Sequence, residues 1–91
     1  MGKKILFIGD EECEPCKKAL PIVKKVAEEY GIELEVVENF SEIRGYENKE
    51  VLDIIKNPVV PTICEVDENK IKKCVIGYSN NLEKEIKELL E

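Results

Sequence analysis

Residues 4–22 read Lys4-Ile5-Leu6-Phe7-Ile8-Gly9-Asp10-Glu11-Glu12-Cys13-Glu14-Pro15-Cys16-Lys17-Lys18-Ala19-Leu20-Pro21-Ile22. It opens on a continuous apolar run, Lys4 to Ile8, the pattern of a strand buried on both faces. Gly9 to Glu12 is a polar loop. From Cys16 to Tyr30 the positions Cys16, Leu20, Val23, Ala27 and Tyr30 recur at helical spacing, and Gly31 follows as a C′ residue. Pro21 falls inside that helix and is expected to kink it. Two cysteines therefore stand where a buried strand hands over to a helix.

Working outward, Ile32 to Glu38 reads as a second strand, Asn39 to Tyr46 as a loop, and Glu47 to Lys56 as a short helix with Val51, Leu52, Ile54 and Ile55 inward. Pro58 and Pro61 bracket the entry to a third strand, Thr62 to Val66. Asp67 to Lys70 is a turn, and Ile71 to Ile76 a fourth strand, so the last two form a hairpin. Gly77 breaks the chain. Ser79 to Asn81 offer N-caps to a final helix, with Asn80 and Glu83 spaced as a capping box and Leu82, Ile86, Leu89 and Leu90 as the apolar stripe. The order is β-α-β-α-β-β-α: an α/β chain with a four-stranded mixed sheet flanked by three helices. Right-handed crossovers make the first two strands parallel.

At 91 residues the chain has room for one core, so residues 1–91 are expected to form a single domain. The formal charge of −6, with a single Arg and lysines interleaved with glutamates, excludes the clustered cations that nucleic acid binding needs. No apolar run approaches bilayer length, so no membrane role is expected. No apolar leader follows Lys3 and Lys4, and the expected location is the cytoplasm. The sequence contains no His, which removes the commonest general base and metal ligand.

What remains is sulfur. Cys13-Glu14-Pro15-Cys16 is a C-x-x-C, a spacing used for redox work and for metal sites alike. Three-residue spacing sets the sulfurs one helical turn apart, within reach of a disulfide. The free N–H groups and dipole of a helix N-terminus favour a thiolate there. Cys13 precedes the first turn and is expected to be the exposed nucleophile. Cys16, on the apolar stripe, is expected to be the resolving thiol. Cys64 and Cys74 lie on neighbouring hairpin strands and are expected to pack as small buried hydrophobes, with a second disulfide as the alternative. Tyr78 either borders the active site or is a surface aromatic.

The run Cys13 to Ile22 resembles the C-G-P-C motif of thioredoxins and the helix after it, down to Pro15, Lys17 and the later Pro21. Val60-Pro61-Thr62-Ile63 is similar to that family's cis-proline segment. Ile76-Gly77 with the capped helix behind it is similar to the family's closing strand, glycine and helix. The resemblance spans nearly the whole chain, which lacks the additional first strand and helix of thioredoxins and in that compactness is closer to glutaredoxins. It implies a thioredoxin fold and a thiol–disulfide oxidoreductase that works by dithiol exchange through Cys13 and Cys16, without cofactor or metal. It also implies a cis Pro61, with Val60, Pro61 and Pro15 contacting the substrate. The implied partners are disulfide-containing protein substrates and an upstream reductase, acting on a monomer.

Three positions differ from the thioredoxin pattern. Glu12 replaces the tryptophan before the first cysteine, Glu14 the glycine between the cysteines, and Phe7 the buried acid six residues earlier. With Asp10 and Glu11 these carboxylates form an acidic rim, which favours basic partners. Three other readings stay open from the residues: a glutathione-dependent, glutaredoxin-like reductase, a four-cysteine metal module, and a redox-inert adaptor. The turn Gly77-Tyr78-Ser79-Asn80-Asn81 lacks the acidic pair of the glutaredoxin turn.

Overall fold

The computed structural model describes residues 3–10, 12–38, 60–68 and 70–91. Its elements are β1 (Lys4–Ile8), α1 (Glu14–Tyr30), β2 (Glu33–Val37), β3 (Thr62–Asp67), β4 (Lys70–Ile76) and α2 (Leu82–Leu90). The four strands form one sheet in the order β2-β1-β3-β4. β1 and β2 run parallel, while β3 is antiparallel to both β1 and β4. The expected helix Glu47–Lys56, the loop before it and Pro58 lie outside the described residues.

The apolar run Lys4 to Ile8 occupies a central strand, and this is why it does not alternate. Ile5, Leu6 and Ile8 are 0% exposed and Phe7 is 2% exposed. Ile5 and Phe7 join Ile63 and the buried stripes of α1 and α2 in one cluster. Leu6 and Ile8 join Val37, Cys64, Val66 and Ile71 in a second. Since successive strand residues point to opposite faces, the two clusters lie on the two sides of the sheet. Each such side chain stabilises the fold by about 1.5–3 kcal/mol through burial.

Cys13 is the N-cap of α1, with extended backbone at φ −86 and ψ 116, and Pro15 sits in the first turn where its missing N–H costs nothing. The helix starts two residues before the expected Cys16 and runs through Pro21 to Tyr30. Gly31, at φ 63, ends it: the Gly31 and Ile32 N–H groups return to the Glu28 and Ala27 carbonyls at 3.2 and 2.9 Å. Exposed ion pairs, Lys25 with Glu83 at 3.1 Å and Lys87 with Glu29 at 3.4 Å, cross from α1 to α2. Exposed pairs contribute little, so the packing of Val23, Val26 and Ala27 against Leu82 and Ile86 carries that contact.

The expected capping box between Asn80 and Glu83 does not form. Asn81 is the N-cap of α2, and its side chain makes no capping hydrogen bond. That shift puts Glu83 at N2, where it binds Lys25 and Lys87 instead. The Ser79 carbonyl accepts the Leu82 N–H at 3.2 Å, and Ser79 Oγ donates to Glu85 Oε1 at 2.7 Å.

Candidate functional site

Three segments meet at the N-terminus of α1. The loop after β1 delivers Asp10, whose carbonyl accepts the Cys13 N–H at 3.1 Å and whose Oδ1 accepts the Glu12 N–H at 2.9 Å. These bonds set the turn that presents Cys13. The Cys13 sulfur is partly exposed and accepts the Cys16 N–H at 3.3 Å. A thiolate there lies against a free helix N–H and the positive end of the dipole.

Cys16 sits one turn further on and only 3% of its surface is exposed. Burial pushes its thiol up from 9.0 to about 11, helped by the hydrogen bond its S–H gives Cys13 and by the charges of Cys13 and Asp10. The Asp10 main-chain N–H, donating to the Cys16 sulfur, opposes that rise. At neutral pH Cys16 keeps its proton and shares it with Cys13. Phe7, in place of a buried acid, and Gly9 pack beside this sulfur, and Gly9 leaves no space for a larger residue.

A surface cavity of about 390 Å³ opens on the exposed side of the pair, lined by Glu14, Pro15, Lys18, Val60, Gly77 and Tyr78. The Val60–Pro61 peptide bond is cis. Val60 and Pro15 thus border one groove, while Pro61 is buried beneath it, its carbonyl accepting the Gly77 N–H at 2.7 Å. Gly77, at φ 84, ties the end of β4 to the start of β3. Tyr78 lines this cavity with its ring partly exposed, which is compatible with both readings of its sequence position. Lys18 and Glu14 were not singled out as groove walls; their α1 spacing of four residues was the available signal.

Cys64 and Cys74 depart from expectation. They stand directly opposite each other across β3 and β4, with Cα atoms 4.0 Å apart, and are bonded as a disulfide rather than packed as separate thiols. Cys64 belongs to the second apolar cluster, on the sheet face away from Cys16. The two pairs are on opposite faces, and a metal site that needs all four sulfurs is not assembled. Among the described residues no group of three or more Cys, Asp or Glu side chains is placed to hold a metal ion. No helix among them is long and apolar enough to cross a membrane.

A strand, a helix led by C-x-x-C, a cis-proline strand, a hairpin and a closing helix define a thioredoxin-fold protein. By sequence, residues 4–90 match the family model described as TraF: F plasmid transfer operon protein, and the chain belongs to that family. No curated protein matches the sequence. In structure the chain is similar to Fasciola hepatica thioredoxin, with a TM-score of 0.67 and 20% identity over 94% of this chain and 75% of that one. It is similar to oxidised Plasmodium falciparum thioredoxin, with TM-score 0.66 and 18% identity over 96% and 79% of the two chains. Oxidised mitochondrial thioredoxin 3 of Saccharomyces cerevisiae gives TM-score 0.62 and 22% identity over 97% and 79%. At these identities the likeness is one of fold.

Proposed function

We propose that the chain is a thiol–disulfide oxidoreductase that reduces protein disulfides by dithiol exchange. The observation that supports this most is the asymmetry of the pair: Cys13 is partly exposed and receives a helix N–H at 3.3 Å, while Cys16 is buried behind it. Cys13 thiolate attacks a substrate disulfide and forms a mixed disulfide, releasing one substrate thiol. Cys16 then attacks Cys13 Sγ, the second substrate thiol leaves, and a Cys13–Cys16 disulfide remains. The substrate strand lies in the groove against the Val60 main chain, with Pro15 and Pro61 shaping its floor. The acidic rim around Cys13 selects substrates with basic flanks. A separate thiol–disulfide reductase returns the pair to the dithiol, and the same reading places the protein in the cytoplasm, where such pairs are kept reduced. The protein acts as a monomer and needs no cofactor.

The test is reduction of insulin disulfides followed by turbidity, with a small dithiol as electron source. The wild type accelerates precipitation, Cys13→Ser abolishes the acceleration, and Cys16→Ser accumulates a mixed disulfide visible by mass. An unchanged rate in Cys13→Ser overturns the assignment.

A further inference from the structure

Cys16 does not meet solid core on every side. A cavity of about 320 Å³ lies against it and shares no lining residue with the substrate groove. Phe7, Leu20 and Val36 form its apolar side, and Asp10, Lys17 and Glu38 its polar side. A water takes roughly 30 Å³ in the liquid, so the space accommodates several, with polar groups to hold them.

We propose that the Asp10 carboxylate takes the proton of Cys16 across this cavity when Cys16 resolves the mixed disulfide. The proposal rests on the oxidoreductase reading above and adds the group that the reading leaves unnamed. Burial holds the Cys16 proton tightly, and once Cys13 is joined to substrate its thiolate can no longer share it. The groups facing Cys16 are then few. From β1, Phe7 contributes a hydrocarbon ring. From α1, Lys17 is a cation and cannot accept the proton, and its partner Glu14, 3.4 Å away, lines the other cavity instead. From the end of β2, Glu38 borders the cavity. Asp10 is the carboxylate whose charge acts on the Cys16 sulfur and whose own main-chain N–H bonds it. The Glu12 N–H grips Asp10 Oδ1 at 2.9 Å and fixes the direction of the carboxylate.

Cys16 S–H gives its proton through cavity water to Asp10. The thiolate forms the Cys16–Cys13 bond, and the Cys13–substrate S–S bond breaks with its electron pair going to the substrate sulfur. That sulfur takes up a proton and leaves as a thiol, and Asp10 returns its own proton to solvent. The substrate disulfide is the oxidant, and the enzyme dithiol is the reductant.

A bare charge at Asp10 and a proton acceptor at Asp10 predict opposite outcomes. The negative charge alone makes Cys16 harder to ionise, so Asp10→Asn would speed resolution. A lost acceptor slows it. Reaction of the reduced protein with a chromogenic nitrothiobenzoate disulfide, followed by stopped flow, separates the two: Cys13 releases the first thiol and Cys16 the second. In Asp10→Asn the second release, taken relative to the first, slows by roughly tenfold or more at neutral pH, in line with general-base effects. Asp10→Glu recovers part of the rate, and Glu33→Gln, which removes an exposed charge at the start of β2 outside both the cavity and the groove, leaves the ratio as in the wild type. The wild-type profile for the second release levels off across neutral pH, whereas that of Asp10→Asn keeps rising with pH towards the ionisation of Cys16. A second release that Asp10→Asn leaves unchanged or accelerates overturns this assignment alone. A wild type that gives no second release overturns the oxidoreductase reading and this assignment with it.

Discussion

Gly9 lies so close to Cys16 that a Cβ added to it would stand 3.1 Å from the Cys16 sulfur and 2.7 Å from Phe7 Cε1. The loop can therefore pass beside the buried thiol only without a side chain. An aromatic ring cannot shorten to make room, and the sulfur is held by the Asp10 N–H. Gly9→Ala is expected to destabilise the protein by about 1–3 kcal/mol, the usual range for overpacking. Urea unfolding of wild type and variant at equal slope measures it, and a variant as stable as wild type removes the claimed close approach.

Burial of Cys16 sets a pH dependence. Its folded thiol ionises near 11, above the ordinary 9.0, so folding favours the protonated form. The stabilisation is complete below about pH 9 and is lost as pH rises towards 11. Reduced wild type should lose stability across that window by more than Cys16→Ala does. Alkylation follows the same order: at neutral pH iodoacetamide modifies Cys13 before Cys16, and Cys16 reacts as pH approaches its own ionisation. Equal alkylation of both thiols at neutral pH would contradict the burial argument.

The central strand, both described helices and the hairpin were legible because each has its own periodicity: the unbroken run Ile5 to Ile8, the stripe from Cys16 to Ala27, and Leu82, Ile86 and Leu89. The C-x-x-C was legible because its place between strand and helix is a local property. The disulfide across the hairpin was not. The turn register pairs Asp67 with Lys70 and Val66 with Ile71, and continued without interruption it would set Cys64 opposite Lys73. A bulge between Cys64 and Val66 adds one residue to β4 and brings Cys74 into line instead. The cavity beside Cys16 was equally hidden, since β1, α1 and the end of β2 each supply a wall and none marks it alone.

That hairpin disulfide spans a sequence separation of ten residues, short enough that it constrains the unfolded chain only modestly. The chain-entropy relation for such a loop gives roughly 2–3 kcal/mol. Cys74→Ala, which leaves Cys64 as a buried thiol in its apolar cluster, should lower stability by about that amount. It should leave insulin reduction intact, because Cys13 and Cys16 lie on the other face of the sheet. Thermal unfolding and the turbidity assay on one preparation check both halves. Loss of reductase activity in a folded Cys74→Ala protein would mean that the second pair takes part in electron transfer.

Tyr78 lines the groove proposed for the substrate strand with Val60 and Lys18, and 37% of its surface is exposed, enough for its ring to be covered by an incoming strand. A small aromatic disulfide reaches Cys13 without filling that groove, whereas a peptide must lie along it. Tyr78→Ala should therefore raise KM for a peptide disulfide several-fold while leaving the rate with the small disulfide nearly unchanged, since truncating an interface aromatic commonly costs about 1–2 kcal/mol. The effect should be larger for peptides with a hydrophobic residue beside the cysteine than for peptides with glycine there. Steady-state kinetics on the two peptides and the small disulfide decide it. Equal losses on all three would place the effect of Tyr78 on Cys13 itself rather than on the groove.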